Sequence, residues 1–163
     1  MRLSLNVERS ELERDGCVMP DEGVVNAYVE LCAKIIEPIR TEFNEPVYFD
    51  SGYRDAAANA RIGGVKDSQH VATKDWAAAD FYFESYRASM RPVFDWIVLK
   101  SNLVWDQVIL EHGKNGDIIH ISWSTTPRRM ALEGATFNKS PYVAHFVPQL
   151  QIDPKYIIGG TAT

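Results

Sequence analysis

Apolar residues recur at helical spacing in "GVVNAYVELCAKIIEPIRTEF", residues 23–43, where Val25, Tyr28, Val29, Cys32, Ile35 and Ile36 fall on one face. This predicts an amphipathic helix with one buried side, kinked or ended by Pro38. "PVYFDSGYR" then reads as a short strand entering a turn at Gly52. Residues 55–67 are rich in Ala, Asn and Gly and predict a loop with a short helical piece. "AADFYF" is strand-like, and Tyr86 to Ser101 predicts a second helix despite Pro92. "WDQVILEH" and "DIIHISW" flank "GKNG", residues 113–116, a hairpin signal with Gly113 opposite Gly116. The chain after Pro141 is apolar and weakly patterned.

This order lacks βαβ repetition, so it favours an α+β fold with a central antiparallel sheet over a doubly wound one. A length of 163 residues suits a single domain, 1–163, with a less patterned tail from about 141. A net charge of −5 offers no basic footprint, which argues against nucleic acid as partner. The first residues carry no apolar leader and no long apolar run occurs, so neither secretion nor membrane insertion is expected. Cys17 and Cys32 lack metal-type spacing and read as buried or free thiols.

Chemistry narrows to a few polar groups. A lone histidine is ordinarily a packed or surface residue, so His70, His112, His120 and His145 need context. Strand alternation in "DIIHISW" puts Ile118, His120 and Ser122 on one face and Ile119, Ile121 and Trp123 on the other. His120 thus occupies the less apolar face, where a rigid strand could present a metal ligand. His70 follows Ser68 in a polar loop, and Asp80 opens a strand behind Ala78 and Ala79. Two histidines and an aspartate, with one position left for water, are the ligand set of a catalytic zinc site. Such a site needs a carboxylate base and a cation for the developing oxyanion. Asp117 and Glu111 are the candidate bases, and Arg54 is the candidate cation. In the glycine-closed hairpin Glu111 falls opposite Ile118, on the face of His120, whereas Asp117 points the other way unless the strand entry bends.

"SGYRDAAANARIGGVKDSQH", followed by "AAD" and later "IHIS", resembles the zinc D-alanyl-D-alanine carboxypeptidase family, in particular its bacteriophage endolysin branch. The resemblance rests on the S-G-Y-R turn, Asn59, Gly63-Gly64, the S-x-H ending at His70, the A-x-D ending at Asp80 and the strand-borne His120. It spans roughly Glu8 to Arg129. It implies a compact α+β peptidase with zinc held by His70, Asp80 and His120, and Asp117, three residues before the last histidine, as base. Arg54 would stabilise the oxyanion and Ser68 would contact substrate. The implied substrates are peptidoglycan stem peptides, cut next to D-amino acids or between L-alanine and D-glutamate. A monomer made in the cytoplasm, without signal peptide, and reaching the wall by phage-type release or delivery is the corresponding expectation.

One departure stands out. The family pattern H-x-x-G-x-A-x-D separates its first histidine and aspartate by six residues, whereas nine separate His70 from Asp80. The extra residues are expected to bulge out around Lys74-Asp75-Trp76, leaving Asp80 in register. The alternatives are that Asp75 replaces Asp80, or that the site has lost its metal. In the latter case the chain would be a non-catalytic wall-binding or phage structural domain that keeps the fold.

Overall fold

A hydrophobic sheet face built from small and β-branched residues organises the molecule. The computed structural model describes residues 1–135, 142–145 and 147. Four strands follow the sequence expectation: β1 (Tyr48–Ser51), β2 (Trp76–Tyr82), β3 (Gln107–Gly113) and β4 (Gly116–Ser124). Two more, β5 (Met130–Ala135) and β6 (Val143–Ala144), complete a six-stranded sheet of order β1-β2-β4-β3-β5-β6. Neighbours are antiparallel except β3 and β5, which run parallel. The fold is α+β as expected, with a mixed rather than wholly antiparallel sheet.

The β3–β4 hairpin closes with Gly113 opposite Gly116, whose φ of 113° explains the glycine there. On the helix-covered face Ala77, Ala79 and Phe81 of β2 lie beside Ile119 and Ile121 of β4 and Val108 and Leu110 of β3, all fully buried. They join a core with Val25, Tyr28, Leu31, Phe94 and Ile97.

The long helical pattern is realised as α2 (Glu22–Leu31), a wide π-type stretch at Cys32–Ile36, and α3 (Glu37–Phe43). Asp21 caps its start by accepting from Val24 N, and Asn44 ends it in the left-handed conformation. Pro38 does not end the helix: it falls in the first turn of α3, just after the π-type stretch, which loosens the ladder where the proline has no N–H to give. The second long helix is shorter than its pattern. α5 begins only at Arg91, with Pro92 in its first turn, and passes into another π-type stretch at Trp96–Lys100. Two short helices, α1 (Arg9–Leu12) and α4 (Ala56–Arg61), flank the turn at Gly52 in sequence. The tail expected to lose pattern from about 141 lies largely outside the described residues.

Helix α2 is tied to β2 by one buried polar contact, the Tyr28 hydroxyl donating to the Ala78 carbonyl at 2.9 Å. Burial pushes the Tyr28 phenol well above its ordinary range, so it stays a donor. Tyr28→Phe is expected to cost about 1–2 kcal/mol of unfolding free energy, because a buried carbonyl loses its side-chain partner. Denaturant titration of both proteins checks this, and an unchanged midpoint would refute it.

Candidate metal and peptidase site

The opposite face of the sheet carries the polar residues. Asp80 on β2 pairs directly with His120 on β4, so the two side chains project side by side. The Asp80 Oδ1 lies 2.8 Å from His120 Nδ1. His70 reaches the same point from its loop, with Nε2 3.1 Å from Asp80 Oδ1 and 3.2 Å from His120 Nδ1.

The S-G-Y-R turn is what aims His70. Its Nδ1 donates to the Gly52 carbonyl at 2.7 Å, and Arg54 N donates to the His70 carbonyl at 3.0 Å. Gly52 itself presses on the backbone of Leu12, where a Cβ would overlap the Leu12 carbonyl, and Tyr53 N donates to that carbonyl. Asn59 and Gly64 shape the loop in between: Asn59 Nδ2 donates to Val65 O, and any side chain at 64 would collide with the Asn59 amide. Ser68 lies in the last turn of this loop, its carbonyl accepting from Val71 N.

The longer His70–Asp80 connection is accommodated locally. Thr73 and Trp76 form an isolated bridge, with Thr73 N donating to Trp76 O, so that the side chains of Lys74 and Asp75 are exposed at the tip. Asp75 pairs there with Lys74, and Asp80 remains opposite His120. Of the residues where the sequence placed the bulge, Lys74 and Asp75 form the tip of this turn, and Trp76 opens β2.

Three acceptor atoms converge here. Because Nδ1 of His70 is engaged with Gly52, its Nε2 presents a lone pair toward a carboxylate oxygen and another imidazole nitrogen. A cation satisfies such a triad. Ligand atoms about 2.0–2.1 Å from a tetrahedral zinc stand roughly 3.3 Å apart, and the observed separations of 2.8 to 3.2 Å approach that edge length. The donor set, two imidazoles and a carboxylate, is also zinc-type. Burial raises the Asp80 carboxyl, but the two imidazoles that face it outweigh that effect and leave it far below the usual carboxylate range. It is an anion at neutral pH.

Asp117 does not stand with this group. It lies on the face of Ile119, where its carboxylate accepts from Met90 N at 3.1 Å and pairs with His112 Nδ1 at 2.9 Å. The bend that would have turned it toward His120 is absent, since His112 and Asp117 remain in regular register. Glu111 occupies the metal-site face instead, two residues along β3 from Ile109, the partner of His120. Burial and the Asp80 charge push its carboxyl up, against His120, Tyr142 and Arg54, which pull it down. Arg54 presents a buried Nε with no hydrogen-bond partner among the described residues.

Two further features escaped the sequence pattern. Asp106, 1% exposed, takes a forked interaction from Arg128 and accepts from Gln69 Nε2 at 2.7 Å, clamping the residue beside His70 to the start of β3. "VWDQVILE" offered the only hint of it. On the helix-covered face His112, Glu133, Arg91 and His145 form a chain around Asp117.

The Peptidase M15 family model matches residues 4–98, more than half of the chain. The protein belongs to the Peptidase M15 family. The matched stretch contains Arg54, His70 and Asp80, whereas His120 and Glu111 lie beyond it and are tied to it through the sheet. No curated protein matches the chain. Family membership supports a peptidase, and the His-Asp-His cluster is one that could hold a metal ion.

Two outcomes follow from this geometry. His70→Ala, Asp80→Ala and His120→Ala should each weaken zinc binding by more than about tenfold in calorimetric titration, with Asp75→Ala unaffected; the reverse result for the two aspartates would move the ligand to Asp75. For His112, the hydrogen bond to Asp117 raises the imidazole pKa, burial opposes it, and Glu133 adds to the rise. A raised folded pKa gives stability that is complete below the ordinary value of about 6.5 and is lost as pH climbs through the folded one. The stability gap between wild type and His112→Gln should therefore be wider at about pH 5.5 than at about pH 8.5, and modest, since the ring is 40% exposed. Equal gaps at both pH values would refute the pairing.

Proposed function

We propose that the protein is a zinc-dependent peptidase that hydrolyses peptide bonds in the stem peptides of bacterial peptidoglycan, as a D,D-carboxypeptidase or an endopeptidase of phage-lysin type. The observation that carries this reading is the convergence of His70 Nε2, Asp80 Oδ1 and His120 Nδ1 within 3.2 Å on the sheet face that also bears Glu111. The substrate class rests on the sequence resemblance, as do action as a monomer and release to the wall from the cytoplasm, while a single catalytic domain over 1–163 rests on the chain's length. None of the described helices is long and apolar enough to cross a membrane.

A zinc ion held by the three ligands would supply Lewis acidity, polarising the scissile carbonyl and acidifying a water. Glu111, on the same face, accepts the proton of the attacking water and returns it to the amine that leaves. Burial and the Asp80 charge raise its pKa, which makes the carboxylate a stronger proton acceptor. Asp117, engaged on the other face, serves as an anchor for His112 and Met90 instead. Arg54, whose Nε has no hydrogen-bond partner among the described residues, would stabilise the developing oxyanion, and Ser68 would contact the substrate chain. The longer loop that favoured a metal-free binding domain is accommodated by the turn at Thr73–Trp76, so it no longer favours that reading.

Incubation with purified peptidoglycan, with and without chelator, tests the proposal by mass spectrometry. New stem-peptide ends in zinc buffer, abolished by chelator, are expected; their absence in zinc buffer would sink it. Glu111→Gln should lose about 10²–10⁴-fold in kcat with zinc retained, while Asp117→Asn, which still accepts from Met90, should keep most activity. The opposite pattern would restore Asp117 as base.

A further inference from the structure

Glu111 has a partner that no part of the reaction scheme requires. β6 pairs with β5 so that Leu132 meets Ala144 and Glu133 meets Val143, which carries Tyr142 to the position across from Gly134. β5 in turn pairs with β3 so that Gly134 meets Glu111. The three residues form a row across the metal-site face. Gly134 is the middle member, and its missing side chain is what lets the aromatic ring lie over β5: a Cβ there would overlap Tyr142 Cδ1. The Tyr142 hydroxyl thereby donates to Glu111 Oε1 at 3.0 Å.

We propose that Tyr142 is a positioning residue of the peptidase site, fixing the Glu111 carboxylate so that its Oε2 faces the reacting water. This rests on Glu111 being the base. A glutamate on a strand has three side-chain torsions, and a hydrogen bond to one oxygen removes most of the orientations in which the other would miss its target. Burial, with the Glu111 and Asp80 charges, pushes the phenol up, which keeps it a donor across the neutral range. The opposite face of the same short strand is held independently. His145 Nε2 donates to Glu133 Oε2 at 2.7 Å and its ring packs edge-on against Phe94. The strand is therefore anchored without help from Tyr142, so removing the hydroxyl leaves its support in place.

Tyr142→Phe deletes the hydroxyl alone. It should lower kcat about tenfold with KM changed less than about threefold and with melting temperature and zinc content unchanged. Gly134→Ala, which displaces the ring but keeps the hydroxyl, should produce the same split, and Val143→Ser on the exposed side of the strand should not. A readout independent of turnover is the ultraviolet ionisation of Tyr142, taken as wild type minus Tyr142→Phe. Its midpoint should lie above the ordinary tyrosine range and drop in Glu111→Gln. Wild-type kcat in Tyr142→Phe beside an inactive Glu111→Gln would overturn the positioning role alone. An active Glu111→Gln would overturn the assigned base and this inference with it. A Tyr142 ionisation indifferent to Glu111→Gln would refute the contact whatever the enzyme's substrate.

Discussion

Asp80 meets His120 because β2 and β4 pair in one register, and that register is held from the other side of the sheet. Ala77, Ala79 and Phe81 alternate with the metal-side residues, and Ile119 and Ile121 do the same on β4. Slipping either strand by one residue would drive Asp80 or His120 into the core and expose a run of fully buried apolar groups. Fully burying a Phe or Ile side chain is worth about 1.5–3 kcal/mol, so a slip that exposes Phe81 on β2, or Ile119 and Ile121 on β4, is penalised before the cost of burying the polar side chain is added. The core thus sets the spacing of two ligands to within a hydrogen-bond length. β2 and β4 are both interior strands with a neighbour on each side, so Asp80 and His120 project from rigid elements.

The third ligand is held by different means. His70 sits on a loop, and its direction depends on the Gly52 carbonyl, which in turn depends on Gly52 packing against Leu12. Gln69, next to it, is bound to the buried Asp106 carboxylate. Two independent restraints on adjacent residues do for the loop what the ladder does for the strands. This also explains why an extended connection after His70 is tolerated. The restraints lie before the bulge at Thr73–Trp76 and the strand pairing lies after it, so the added residues bear on neither.

Sequence pattern exposed the parts of the fold that repeat. The alternation of "DIIHISW", the glycine-closed hairpin and the helical stripe of residues 23–43 all correspond to observed elements, because each buries one face at a fixed period. β5 and β6 were missed since "MALEGA" and "VA" carry almost no β-branched character, and their pairing is imposed by the neighbouring strand. Of the two outcomes that Pro38 allowed, a kink or an end, the end does not occur, because the π-type stretch before it absorbs the missing N–H. At the site, spacing and parity gave different answers for the base. The resemblance pointed to Asp117, three residues before His120, but on a regular strand an odd offset places a side chain on the opposite face. Glu111 lies at the even-parity position across the hairpin, and no bulge intervenes to reverse the order.

The sheet therefore divides its charged residues between two tasks by parity alone. Glu111 and His112 are neighbours in sequence, yet one faces the metal cluster and the other joins Asp117 and Glu133 beneath helix α5. The second group restrains what the first requires. Glu133 is held down to about 2 because, although burial raises it, hydrogen bonds from Arg91, His112 and His145 outweigh that effect. As a permanent anion it ties α5, β3 and the short strand β6 to the same edge of β5. Residues 4–98 match the family, but they stop short of every member of this edge except Arg91. The support of Glu111 thus depends on β5 and β6, whose sequence pattern is faint. Its geometry is enforced by charge on one face of β5 and by a single glycine on the other.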